Sequence, residues 1–400
     1  MEKLRLQDLN FKDKKVLVRV DFNVPLNKDG TISDDTRLQE SIPTLRYILN
    51  AGGSAILMSH LGRPKKKESQ LSLKRCGEAL SRLLGQAVQW AEDCIGENVA
   101  AKARSLNPGQ VLLLENLRFY PAEEKPSADP SFAQKLAALG DIYVNDAFAT
   151  AHRAHSSTAT IATFFPGKAA AGLLLQKEIE AFEQLLSRPK RPFYVIIGGS
   201  KISTKMGVLK SLLSKADGIF IGGGMAFTFY KAQGIKIGDS IHEDDQLPEA
   251  MDFLKECSQK KIPLWLPIDL RIADTFSNEA HSKTVSIAEG IPPHWKGMDI
   301  GPKTIEEWEK LLQKASTIFW NGPLGVFEFP NFATGTQRIA QALAHLNAVT
   351  LVGGGDSVAA INQIGLSSQF THVSTGGGAS LEYIEFGHLP GIDALSDKKN

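Results

Sequence analysis

Short apolar runs alternate with amphipathic stretches through the first half of the chain. Val16-Leu17-Val18-Arg19-Val20, Ala55-Ile56-Leu57-Met58, Val111-Leu112-Leu113-Leu114 and Ile142-Tyr143-Val144 read as buried strands. Between them, Ser41–Asn50 places Ile42, Leu45, Ile48 and Leu49 at helical spacing before Gly52-Gly53. Leu73–Leu84 does the same with Leu73, Cys76, Leu80, Leu83 and Leu84 before Gly85. Strands spaced by helices of this length predict a parallel sheet covered on both faces.

A longer helical pattern, Leu173–Leu186, carries Leu175, Ile179, Phe182 and Leu186 on one face and stops at Ser187-Arg188-Pro189-Lys190-Arg191-Pro192. No helix continues through that proline-punctuated turn. Residues 173–192 are therefore the expected connection between two α/β domains, 1–172 and 193–385. The second domain, from Phe193, has strand-like runs at Tyr194–Ile197, Ile219–Ile221, Ile262–Leu266, Thr317–Trp320, Val349–Val352 and Thr371–Ser374, with a strand-rich excursion over Arg271–Ile300. Four of these runs end in glycines: Gly198-Gly199, Gly222-Gly223-Gly224, Gly353-Gly354-Gly355 and Gly376-Gly377-Gly378. A glycine turn opening a helix lets backbone N–H groups and the helix dipole meet an anion. Four in one half-chain predict a shared phosphate or nucleotide site, although no G-x-x-x-x-G-K-[ST] motif occurs.

Composition narrows the function classes. The 400 residues suggest two or three domains. With 45 basic against 44 acidic residues, the net charge of +1 gives no general pull toward nucleic acid or anionic membrane. Cys76, Cys94 and Cys257 are far apart with no C-x-x-C, which argues against a disulfide framework or structural zinc and fits a reducing cytoplasm. The N-terminus has no apolar signal core, and no apolar stretch reaches membrane-spanning length.

In the first half the predicted strands lead into charge rather than glycine. Asp21-Phe22-Asn23 follows the first, Ser59-His60-Leu61-Gly62-Arg63-Pro64 the second, Glu115-Asn116-Leu117-Arg118 the third, and Asn145-Asp146 leads to His152-Arg153-Ala154-His155. Arg37 lies at a helix start, where the dipole disfavours a cation. One loop arginine is ordinarily a solvated charge, and one histidine ordinarily structural. Cations recurring after successive parallel strands instead predict a site for a small, multiply charged anion, gripped by guanidinium groups. His152 and His155 lack a partner at metal-ligand spacing. In the second half, Lys201 and Lys205 would share a face if their segment is helical. Glu328 could accept ribose hydroxyls, and Asp356 could meet a nucleotide-bound Mg²⁺. The two sites together suggest phosphoryl transfer to a carboxylate, which is already ionised at neutral pH and needs no general base.

At these motifs, from Arg19-Val20-Asp21-Phe22-Asn23 through Ser59–Pro64, Glu115–Phe119, Ala151–Ser157, Gly198–Lys201, Asn321–Glu328, Gly353–Ser357 and Thr375–Glu382, the chain closely resembles the phosphoglycerate kinase family. The resemblance runs from about residue 5 to the Leu389–Leu395 segment. It implies two Rossmann-like domains, the first binding 3-phosphoglycerate or 1,3-bisphosphoglycerate and the second ATP or ADP with Mg²⁺, and residues 386–400 packing back on the first. Carried over by position, it implies substrate contacts from Asp21, Phe22, Asn23, Arg37, His60, Leu61, Gly62, Arg63, Arg118 and Arg153. It implies nucleotide contacts from Lys205, Gly297, Glu328, Gly354, Gly355, Asp356 and Ser357, and catalytic roles for Arg37, Lys201 and Gly376. A monomeric cytoplasmic enzyme is the expectation. Ala149, where the family usually has glycine, and Met206, where a branched aliphatic is common, depart from the pattern without touching a charged contact. Two other readings stay open here: another carboxylate kinase, which would want fewer acceptor-side arginines, and a two-domain binding protein, which would not need the lysines and Asp356.

Overall fold

The computed structural model describes residues 2–398 and divides into two compact units, 2–180 with 388–398, and 181–387. The division falls inside the long helix rather than at its ends.

The first unit is built from β1 (Lys15–Arg19), α1 (Thr36–Asn50), β2 (Ser54–Met58), α2 (Lys74–Leu84), β3 (Val88–Trp90), α3 (Glu97–Ser105), β4 (Val111–Leu113), α4 (Pro121–Glu124), α5 (Ser131–Ala137), β5 (Ile142–Asn145), β6 (Ala169–Ala171) and the start of α6 (Leu173–Ser187). Its six strands are all parallel, in the order β3-β4-β2-β1-β5-β6. The central strands are apolar in their middles, Val16–Val18 and Ala55–Met58, because helices cover both faces and bury these residues whichever way they point. Val16, Val18 and Leu57 pack there with Leu45, Ile48 and Leu80 of the covering helices. Gly85 ends α2 in the left-handed conformation (φ 72°) that a side chain would resist. Helix α1 begins five residues before the expected Ser41, despite Pro43 inside it. The segment 388–398 joins this unit through Leu4 N to Ser396 O (2.8 Å), Gly391 N to Ala151 O (2.8 Å) and the Lys3–Asp397 ion pair (2.8 Å).

The second unit continues with β7 (Phe193–Ile197), α7 (Met206–Leu213), β8 (Gly218–Ile221), α8 (Met225–Ala232), α9 (Leu247–Gln259), β9 (Leu264–Trp265), β10 (Asp269–Ala273), β11 (Ser282–Ser286), β12 (Lys296–Ile300), α10 (Pro302–Leu312), β13 (Thr317–Asn321), α11 (Thr334–Ala344), β14 (Val349–Gly353), α12 (Gly355–Gln363), β15 (His372–Val373) and α13 (Gly378–Phe386); α14 (Pro390–Asp393) belongs to the first unit. The large sheet is parallel, in the order β15-β14-β13-β7-β8-β9. The order reverses between β7 and β13, the place where open α/β sheets leave a crevice. The expected excursion is a separate antiparallel sheet, β11-β10-β12. The run at Ile262–Leu266 pairs only over two residues, since Pro263 and Pro267 bracket it and supply no N–H. Among the described residues, no helix is long and apolar enough to cross a membrane.

Candidate active site

The first unit assembles its site from side chains at the carboxyl ends of β1, β2, β4 and β5. Strand β1 ends in Arg19, only 1% exposed. Burying a guanidinium without partners would be costly, and each of its three nitrogens has a protein contact. Nε donates to Ser157 Oγ (2.8 Å), one terminal nitrogen to the Val20 carbonyl, and the other meets His60 Nδ1 at 3.1 Å. Ser157 Oγ donates in turn to Glu123 Oε1 (2.6 Å), and its amide to Oε2 (3.1 Å). Burial raises the Glu123 carboxyl above its ordinary range, with Arg19 opposing.

The loops above this base are bonded to one another. Asn23 Oδ1 accepts from the Gly62 amide (2.8 Å), Ser59 Oγ from the Phe22 amide (2.8 Å), and Asn116 Oδ1 from the Leu61 amide (3.2 Å). Phe22 and Leu61 are buried and their amides committed, so they frame the site while other groups face outward. Asp21 holds Arg37, in the first turn of α1, by an ion pair. Arg118 donates to Gly62 O (2.6 Å) and pairs with Glu124 (3.0 Å), which Arg153 also approaches at 4.0 Å. Arg63 lies exposed on the loop after β2. His60 marks the convergence: burial first, then the charges of Arg19, Arg118, Arg37 and Arg153, hold its imidazole well below its ordinary value. Such a frame of fixed cations is suited to an anion bearing several oxygens. Arg19 has no assigned role in the sequence pattern. The available signal was a charge closing an otherwise apolar strand.

The second unit builds with backbone, and its glycines divide into two kinds. Most of those after β7, β8 and β13 are demanded by neighbouring chain: a Cβ on Gly198 would lie 2.1 Å from Pro323 O, and one on Gly223 would lie 2.7 Å from Gly199 N. Beside β14 and β15, a Cβ on Gly355, Gly377 or Gly378 would meet nothing within 4 Å. Gly354 has φ +91° and passes close to Asn321. The Gly376 amide donates to Ser374 Oγ (3.1 Å).

Lys201 and Lys205 do not share a helical face, because residues 201–205 form turns and α7 begins at Met206. Lys201 is exposed, whereas Lys205 caps α7 with its ammonium bonded to Asn321 Oδ1. Burial brings the Lys205 ammonium down to about 8, with Asp356 opposing. Asn321 Nδ2 is buried without a partner among the described residues. Ser357 Oγ accepts from the Gly322 amide (2.5 Å). A cavity of about 440 Å³ opens beside these strand ends, walled by Phe227, Leu270, Met298 and Val326, with Glu328 and Asp356 at its polar side. Gly297 lines it because a Cβ there would strike the Phe227 ring at 2.0 Å. An apolar slot beside a cation and a free helix start is suited to a flat heterocycle joined to phosphates. Asp299, buried in the cavity wall, accepts from the Gly335 amide (2.7 Å), and burial pushes its carboxyl up to about 7. Among the described residues, no three acidic, histidine or cysteine side chains cluster to hold a metal ion.

The family model described as phosphoglycerate kinase matches residues 6–386. A phosphoglycerate kinase of Moorella thermoacetica is 50% identical over 399 residues, covering all of both chains. The cytosolic phosphoglycerate kinase 3 of Arabidopsis thaliana is 50% identical over 395 residues, covering 98% of each. Among solved structures, the phosphoglycerate kinase from Coxiella burnetii superposes with a TM-score of 0.88 at 38% identity, over 98% of each chain.

Proposed function

This chain belongs to the phosphoglycerate kinase family, and from that premise we propose how its residues divide the work. The chain is a phosphotransferase of glycolysis: it moves a phosphoryl group reversibly between 1,3-bisphosphoglycerate and ADP, giving 3-phosphoglycerate and ATP.

The first unit takes the glycerate. Asp21 and Asn23 orient it, while His60, Arg63, Arg118 and Arg153 grip its phosphate, with the frame of Phe22, Leu61 and Gly62 fixing their positions. Arg37 stands at the carboxylate and the migrating group. The gathering of charged side chains from β1, α1 and the loops after β2, β4 and β5, with Arg37 paired to Asp21, Arg118 and Arg153 both at Glu124, and His60 against Arg19, carries this assignment. The second unit takes the nucleotide, with the base in the apolar cavity against Gly297, the ribose at Glu328, and the phosphates at Lys205 and Gly354–Ser357. Lys201 and the turn at Gly376 serve the transferring group.

Asp356 is exposed in the first turn of α12 and acts electrostatically on Lys205, a donor set suited to a Mg²⁺ that arrives with its nucleotide rather than one held in a protein cage. When bound, that ion neutralises charge on the phosphate oxygens. The acceptor carboxylate is already ionised at neutral pH, so the chain's residues need to position it, neutralise charge and exclude water.

Transfer requires the reacting atoms to approach within about 3–3.5 Å. We place the hinge for that approach at α6 and the turn through Pro192. Small-angle scattering should give a smaller radius of gyration with both substrates than with either alone; an unchanged radius would reject the closure. A monomer in the cytoplasm, with MgATP and 3-phosphoglycerate as its ligands, completes the reading. It is supported by three buried free cysteines and by the cytosolic plant relative. A coupled assay with 3-phosphoglycerate and MgATP tests the whole: turnover with this acceptor and none with acetate is expected, and the reverse would overturn it.

A further inference from the structure

His60 has two ring nitrogens with different fates. Nδ1 faces the Arg19 guanidinium at 3.1 Å. Guanidinium carries only donors and does not lose its proton in a protein, so Nδ1 must offer a lone pair. A neutral imidazole with a bare Nδ1 carries its hydrogen on Nε2. Among the described residues none hydrogen-bonds to Nε2, and it is not one of the buried orphan atoms, so this nitrogen is the one a ligand can reach.

We propose that Arg19 is a positioning residue that locks His60 as the neutral Nε2–H tautomer, making it an uncharged hydrogen-bond donor to the bound anion. The inference rests on the anion-site reading above and deepens it. The positive charge of the site then resides in its arginines alone.

Three features keep the lock closed. Arg19 cannot swing away, being buried and tied to Ser157 Oγ and the Val20 carbonyl. Ser157 is itself tied to the buried Glu123, so the chain of bonds ends in a fixed carboxylate. The charged groups acting most strongly on His60 come from four separate segments: Arg19 from β1, Arg37 from α1, Arg118 after β4 and Arg153 after β5. All are cations, and each opposes a second proton on the ring. The same device recurs at His152, whose Nε2 accepts from Arg153 Nε at 3.2 Å, leaving its proton on Nδ1. An uncharged donor has a purpose here. It shortens to an oxygen of the ligand without adding another mutually repelling charge to a crowded cationic frame, and its orientation is set by its neighbour before the ligand arrives.

The test is nitrogen-15 NMR on the full chain labelled in histidine, from pH 5.5 to 8.5, without and with 3-phosphoglycerate. The His60 signal is assigned by its loss in His60→Gln. A pyridine-like Nδ1 and a pyrrole-like Nε2, unchanged across the range in both states, are expected. Imidazolium-type shifts in either state, or the opposite tautomer, would overturn the proposal. Arg19→Met, which leaves Nδ1 without its donor, should move both ring nitrogens toward averaged, tautomer-exchanging shifts and raise the KM for 3-phosphoglycerate more than about threefold. Arg19→Lys, which keeps a cationic donor, should restore the fixed tautomer. A folded Arg19→Met protein whose His60 stays locked would remove Arg19 from the role. Should Arg19→Met fail to fold, the spectra of the unaltered protein decide. Calorimetry with 3-phosphoglycerate separates the two levels: no binding rejects the site assignment, whereas binding beside a protonated His60 rejects only the lock.

Discussion

The first unit makes its site from long side chains held by other side chains, while the second makes its site from turns that mostly lack them. Arg19, Arg37 and Arg118 each have an acidic or carbonyl partner that sets their direction before any ligand is present. In the second unit, the glycines after β7 and β13 bring two loops within touching distance, and those beside β14 and β15 leave open space. A charged frame is specific for where oxygens sit. A bare backbone turn accepts any phosphate that fits, and selectivity for the base falls to the apolar cavity beside it.

The sharpest challenge to this contrast is Arg37→Ala. If Arg37 meets charge only as the phosphoryl group moves, kcat should fall by roughly 10²-fold or more, the scale of losing one preorganised donor. Affinity for 3-phosphoglycerate, measured by calorimetry, should fall less. Unaltered turnover would take Arg37 out of the mechanism.

Next come two alanines in the second unit that look alike in sequence. Gly198→Ala would drive a methyl into the Pro323 carbonyl, so the expected result is a protein several degrees less stable by calorimetric unfolding. Gly355→Ala meets empty space and should keep its melting temperature while MgADP affinity drops about tenfold. Equal thermal losses would erase the distinction between packing and ligand-facing glycines.

Arg118→Ala or Arg153→Ala should weaken 3-phosphoglycerate by about tenfold, the scale of one charge-assisted contact. MgADP affinity should stay nearly unchanged. A parallel fall in nucleotide affinity would refute the division of labour between the units.

The smallest effect is in pH. Free Lys205 loses its proton near 8, and a phosphate attracts only the ammonium form. Affinity for MgADP should therefore decline as pH rises, by about fourfold between pH 7 and 8.5, and be flat below about 7. Lys205→Arg should abolish the decline; its persistence there would assign the titration elsewhere.

How much of this was legible in the sequence depended on how many environments suit a given residue. Val16–Val18 and Ala55–Met58 announce strands because only a doubly covered sheet buries such runs. The edge strands β6, three alanines, and β3, Val-Gln-Trp with half-exposed side chains, carry neither pattern nor strong preference. The cations of the first site were legible because charge recurs after each strand. Their supports Arg19, Ser157 and Glu123 were not, since their partnership spans distant parts of the chain. The glycines were visible, but a glycine that clears a neighbouring carbonyl is written with the same letter as one that clears a ligand. The condition for Lys201 and Lys205 to share a face, a helical segment, is not met for a local reason: the helix starts one residue after Lys205, so residues 201–205 never acquire helical spacing.

The segment 388–398 closes on residues 2–8 and on Ala151 of the first unit. On a ribosome, the polypeptide that completes this unit emerges only after the whole of the second one. The seam of the first unit therefore cannot close until the whole of the second unit has been synthesised. A released chain ending at residue 387 should expose the first unit to protease more readily than the second. Vectorial synthesis thus turns a few hydrogen bonds at a seam into a timing signal for when the anion site can mature.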